Sequence, residues 1–148
     1  MKKTILTIVI AIMILIAYWL ISPLFINRKV GENIEEVKQV QQDQVQTLKQ
    51  GEFVGLAGHD AQGTAKLLKV NNVYFIRLED NFKVTNGPDL FIYLGKNNKY
   101  DPNAKLDALK GNIGGQNYKI PSKINPSDFN EVWIWCRSFS VPFGKAII

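Results

Sequence analysis

The sequence predicts an all-β domain, a small antiparallel β-sandwich or barrel-like sheet, behind one N-terminal transmembrane helix. Three observations carry that prediction. An uncharged apolar run extends from Thr4 to Asn27. From Gly51 onward, short apolar and β-branched runs alternate with turn residues. Thirteen of the sixteen aromatic residues fall in that second region, enough to build a core without disulfides.

The apolar run comes after Lys2 and Lys3, carries Tyr18 and Trp19 toward its far end, and leads into Arg28 and Lys29. A helix of about twenty apolar residues spans the hydrocarbon core of a bilayer, and amphipathic rings favour its headgroup zone. A cleaved signal peptide has a shorter apolar region ending in small residues. Here Trp19 to Ile26 is bulky almost throughout, and no cysteine comes after it to accept a lipid. Residues 1–27 therefore read as an uncleaved anchor, with the lipid bilayer as partner. The flanking cations nearly balance on the positive-inside count, but a short N-terminal tail ordinarily stays cytoplasmic, which puts the domain outside.

Residues 28–50 read as a polar juxtamembrane stalk. Ile34, Val37, Val45 and Leu48 fall near helical spacing, but Gln41, Gln42 and Gln44 interrupt the stripe. That pattern suits a spacer.

From Gly51 the expected strands are Phe53–Ala57, Ala65–Val70, Val73–Leu78, Phe82–Thr85, Leu90–Leu94, Val132–Cys136 and Val141–Ile148. The separating turns are Gly58 through Gly63, Asn71-Asn72, Asn86 through Asp89, Gly95 through Asp101 and Gly111 through Asn117. Several short strands with regular turn signals argue for a sandwich or barrel. Leu90–Leu94 and Val132–Cys136 are apolar on both faces, which marks each as central. No repeat of fixed period interrupts the region, so 51–148 reads as one domain.

Charge excludes one class of function. Residues 51–148 carry twelve Lys/Arg against nine Asp/Glu, and the lysines are scattered. A nucleic-acid footprint clusters its basic residues, so no nucleic acid is expected as a partner. Metal sites fail by arithmetic, because structural zinc needs four Cys/His-type ligands and catalytic zinc three. The chain has one histidine, His59, and one cysteine, Cys136. No metal and no cofactor is expected. His59 and Cys136 are also the only pair available for nucleophilic catalysis, and neither sits in a nucleophile elbow. The stretch Gly111-Asn112-Ile113-Gly114-Gly115 would cradle a phosphate only if it opened a helix. Gln116 through Pro121 has the pattern of a strand ending in a turn, so the glycine stretch reads as a tight loop. A stand-alone enzyme is not expected.

Cys136 remains. In Val132-Trp133-Ile134-Trp135-Cys136 alternate side chains face opposite ways, so Cys136 shares a face with Ile134, and Arg137 falls on the other. Free cysteine packs readily as a small buried hydrophobe. A reactive thiolate needs a nearby cation, to be supplied by His59 or a lysine from another strand or loop. Both readings stay open on the residues alone.

Three ordered motifs bear a resemblance. Thr85-Asn86-Gly87-Pro88-Asp89-Leu90 leads to Tyr93-Leu94; Leu109 through Gly114 precedes Gln116-Asn117-Tyr118; and Val132-x-Ile134-Trp135-Cys136 precedes Phe139-Ser140-Val141-x-Phe143-Gly144-x-Ala146. Together with Gly51-x-Phe53 and His59-x-x-x-Gly63-x-Ala65, this arrangement resembles the DM-thirteen domain, a DOMON-associated family described as an electron-transfer module. The resemblance covers nearly all of 51–148. It implies an all-β fold and a redox role resting on the cysteine of the Trp-Cys motif, here Cys136, with a redox protein as partner. His59, Asp89 and Trp135 lie in the same motifs and are secondary candidates. A single thiol cannot relay electrons without a second thiol, a radical or a partner. The rival expectation is therefore a non-catalytic binding or envelope-interaction module with Cys136 buried.

Overall fold

The computed structural model describes residues 2–38 and 44–148; part of the expected stalk, residues 39–43, lies outside them. The first element, α1, is a single helix over Lys2–Phe25. None of its Lys2–Trp19 stretch is buried, and it is long and apolar enough to cross a membrane.

The remainder is dominated by a nearly closed, barrel-like β-sheet. Its strands are β1 (Val45–Gly55), β2 (Ala61–Gln62), β3 (Thr64–Val70), β4 (Val73–Leu78), β5 (Lys83–Val84), β6 (Leu90–Lys96), β7 (Lys99–Ala108), β8 (Gln116–Lys119), β9 (Glu131–Cys136) and β10 (Val141–Ile147). Eight form one antiparallel sheet in the order β7-β6-β9-β10-β1-β3-β4-β8, while β2 and β5 pair as a short flap. The doubly apolar β6 and β9 are neighbours inside the order. Curling a sheet almost onto itself buries its inner face, and period-two alternation fills it. Ile76, Leu78, Ile92, Leu94, Val132 and Ile134 are all at most 1% exposed and form the core with Phe53, Phe82 and Phe143.

Two differences from the sequence expectation matter for the site. Gly95 through Asp101 is not a simple turn: β6 continues to Lys96, a tight pair of left-handed residues at Asn97 and Asn98 comes next, and β7 begins at Lys99. That strand is polar because it stands at an end of the sheet order, and sheet edges tolerate charge and proline such as Lys105 and Pro102.

The second difference concerns the stretch read as a spacer. Val45–Gln50 forms the first half of β1 and pairs with β3, from Val45 opposite Val70 to Gln50 opposite Lys66. Further back, the chain after α1 runs along the seam between β7 and β8. Val30 donates to the Ile113 carbonyl at 2.9 Å and Glu32 to that of Gly115 at 3.0 Å. The Glu32 carboxylate accepts from Lys110 Nζ at 2.7 Å and from the Asn117 amide at 2.8 Å. Asn33 then caps a 3-10 turn over Ile34–Val37 with a reciprocal capping box, and Val37 is buried. Glu32 and Asn33 bond the barrel and cap the turn, while Arg28, Lys29, Glu35 and Glu36 stay exposed.

Candidate functional site

The strand directions gather four connections at one end of the barrel: Leu56–Asp60 after β1, Glu79–Asp89 around β5, Leu109–Gly115 after β7, and Arg137–Ser140 between β9 and β10. The chain leaving α1 arrives at the same end, where Asn112 Nδ2 donates to Asn27 Oδ1 at 2.9 Å. The candidate residues His59, Asp89, Trp135 and Cys136 all lie at this end.

Cys136 closes β9 on the inner face. Its backbone stands opposite Leu90 of β6 and Val141 of β10, and its exposure is 0%. The thiol is free and, among the described residues, has no hydrogen-bond or ionic partner. His59 is held elsewhere: its ring lies flat on Phe143, with centroids 3.6 Å apart and planes 9° from parallel. The structure therefore does not join His59 to Cys136 as a base or counter-ion. Gly87 is what makes room for this packing, because a Cβ there would meet the Phe143 and Leu90 side chains at 2.9 Å.

Arg137, the next residue, turns outward. Its Nε donates to Asp89 Oδ2 at 3.1 Å and its Nη2 to Oδ1 at 3.3 Å, while Ser138 Oγ donates to Oδ2 at 2.7 Å. The guanidinium also stands 4.6 Å over the Phe91 ring. Asp89 thus pins the β9–β10 connection to the start of β6. Burial by itself would raise the Asp89 carboxyl, but hydrogen bonds from Ser138 and Arg137 and the Arg137 charge outweigh it and hold the carboxyl below its ordinary 3.8. A depressed carboxylate contributes stability above its unfolded pKa and loses it as pH falls through the folded value. The melting-temperature gap between the wild type and Asp89→Asn should therefore stay constant above about pH 5 and narrow as the pH drops below 3.8. Thermal melts across an acid series check this, and a pH-independent gap would refute the ion pair as the cause.

Trp135 lies on the outer face with a row of rings. Tyr100 of β7 sits 4.2 Å from Trp135 and 5.1 Å from Tyr93 by centroid, and Phe91 lies 6.5 Å from Tyr93. Burial, reinforced by Tyr100, pushes the Tyr93 hydroxyl above the usual tyrosine range. Cys136 and Trp135 are thus neighbours in sequence on opposite faces of the same barrel wall.

Three of the five backbone amides of the glycine stretch are occupied. Gly111 donates to Gln116 Oε1 at 3.1 Å, Ile113 to the Arg28 carbonyl at 3.3 Å and Gly114 to that of Phe82 at 2.9 Å. Gln116 donates back to the Gly111 carbonyl at 2.8 Å, and the buried Tyr118 hydroxyl, raised well above its ordinary pKa by desolvation, donates to Gln116 at 2.7 Å. The Gly111, Ile113 and Gly114 N–H groups are therefore not free to cradle a phosphate. Among the described residues, no three of His, Cys, Asp and Glu gather to hold a metal.

Sequence reasoning missed two clusters: the Asp89–Arg137–Ser138 clasp and the Glu32–Lys110–Asn117 group. Their partners lie 48 to 85 residues apart, so no local pattern announces them. Arg77, only 4% exposed, joins the second group by donating to the Glu32 carbonyl at 3.1 Å and to Asn117 Oδ1 at 3.0 Å.

No curated protein and no solved structure matches the chain. One family model does, described as Electron transfer DM13, and its match runs over residues 52–148. It takes in the Trp135-Cys136 step, the Asp89 loop, the glycine stretch and every strand but the first half of β1. The chain, whose nearly closed antiparallel sheet ends an inner strand on a free cysteine and which that model matches over about two thirds of its 148 residues, belongs to the electron-transfer DM13 family.

Proposed function

We propose that the chain is a single-pass membrane protein that holds its DM13 barrel at the extracytoplasmic surface, and that the barrel serves as a binding and envelope-interaction module, not as a self-contained redox centre. The observation carrying this reading is the complete burial of Cys136 among aliphatic and aromatic side chains. A thiol that exchanges disulfides or passes through sulfenic acid must meet its oxidant. Cys136 faces inward, and the sequence holds no second cysteine to resolve an intermediate.

A second reading is favoured by the family's description: electron transfer through Cys136 with a redox protein partner. As disulfide exchange or sulfenic-acid chemistry it requires the β9–β10 end to open. The two readings differ in the reactivity of the folded thiol. If only unfolded molecules react, alkylation of the full-length protein at neutral pH should be roughly a thousandfold or more slower than in denaturant, since unfolded fractions run at about 10⁻³ to 10⁻⁶. No sulfenic acid should be trapped after mild oxidant. Fast alkylation of folded protein would replace the binding module with the redox reading.

The anchor is supported by the length and exposure of α1. Alkaline extraction of membranes and the intact mass of the extracted chain test it. A mature N-terminus between Ser22 and Val30 would refute it.

A further inference from the structure

We infer that the barrel is seated directly on the bilayer, with Phe139 at the tip of the β9–β10 connection inserted into the lipid interface from which α1 emerges. The inference rests on the anchor proposed above and goes beyond it by naming the surface that touches lipid.

The first observation is the absence of slack. The Ile26 amide still donates to the Ser22 carbonyl at 3.0 Å, continuing the helical turn. Asn27 then accepts from Asn86 at 3.1 Å and from Asn112 at 2.9 Å, and the Arg28 amide donates to Asn112 at 2.7 Å. Helix and barrel are thus joined without a free linker. The 24 residues of α1 rise about 36 Å, against a hydrocarbon core of about 30 Å. Its end, and with it Asn86 and Asn112, falls at the depth of the headgroups.

The second observation is what else stands at that end. Asp89, three residues after Asn86, clasps Arg137 and Ser138. Phe139 is next, turned outward, with Ser140 in a left-handed conformation at φ 53°. At 68% exposure Phe139 is the most exposed large apolar side chain among the described residues beyond α1. An aromatic ring so little covered by protein is poorly placed in water and well placed at a membrane interface. Arg28 and Lys29 are exposed beside the helix exit, where cations meet anionic headgroups.

The test uses the full-length chain in vesicles of phosphatidylcholine and phosphatidylglycerol. Phe139→Cys and, at the opposite end of the barrel, Ser122→Cys are labelled with a polarity-sensitive fluorophore, and the wild type is treated in parallel to measure uptake by Cys136. The label at 139 should be blue-shifted and quenched several-fold more by nitroxide-bearing lipids than the label at 122. Equal quenching at both sites, with the protein still resistant to alkaline extraction, overturns the seating and leaves the anchor standing. A blue shift without lipid quenching assigns the ring to a protein contact, such as a second copy, and also overturns it. Release of the protein by alkali overturns the anchor and the seating together.

Discussion

A chain starting at Gly51 should lack the cooperative unfolding transition that a chain starting at Asn27 retains. The shorter chain loses Val45–Gln50, and with it the pairing of β1 with β3 from Val70 to Lys66. Each backbone hydrogen bond contributes about 0.5–1.5 kcal/mol net, and β3 carries the buried Leu67, Leu68 and Val70 next to the strand that is removed. The cut also removes Glu32. Lys110 then loses the carboxylate at 2.7 Å, the Asn117 amide loses its acceptor at 2.8 Å, and the buried Arg77 loses the Glu32 carbonyl. A loss of several kcal/mol is a large part of a typical domain's stability of about 5–15 kcal/mol. Circular dichroism melts of the two chains decide the matter. Melting within a few degrees of each other would show that the juxtamembrane segment lies on the barrel without stabilising it.

The same truncation point shows where the sequence was legible. Strands that bury one face fully, such as β4, β6 and β9, show themselves through apolar and β-branched content, because burial selects the residue type directly. The doubly apolar pattern of Leu90–Leu94 and Val132–Cys136 even places them inside the sheet order. β7 hides because an edge strand needs little apolar surface: Ala104 is 1% exposed, but Asp101, Pro102, Asn103 and Lys105 around it read as loop. The break at Gly51 marks where aromatic residues begin, not where the sheet begins, since Val45–Gln50 joins the ladder through its backbone.

The candidate site divides in the same way. Alternation along β9 separates the faces to which Cys136 and Trp135 point, since neighbouring residues in a strand face opposite ways. What Arg137 and Glu32 bind could not be read, because ion pairs closed over 48 and 78 residues depend on the finished fold. Nor could exposure of Cys136 be read, because a small apolar thiol suits both an interior wall and a reactive edge.

The second large effect is expected at Gly51. β1 changes partner along its length, pairing with β3 through Glu52 and with β10 only from Phe53 to Gly55. Glycine in a strand interior marks such corners, where another backbone approaches closely. At Gly51 that neighbour is the Ile147 carbonyl, which occupies the place a Cβ would take. Because the obstacle is backbone, no rotamer change relieves it. Gly51→Ala must push the end of β10 outward, straining the Ile148 amide bond to the Asn130 carbonyl at 2.8 Å. Overpacking of this kind costs about 1–3 kcal/mol and occasionally more, and the rigid obstacle places it near the top of that range. For a domain of this size that lowers the melting temperature by roughly a dozen degrees or more, at about 4–8 °C per kcal/mol. Gly31→Ala is the matched control. Nothing lies within 4 Å of its added Cβ, and alanine lowers the entropy of the unfolded chain, so its melting temperature should hold or rise slightly. If the two variants melt together, β10 does not cross Gly51 closely enough to require glycine, and the corner is looser than the approach of the Ile147 carbonyl implies.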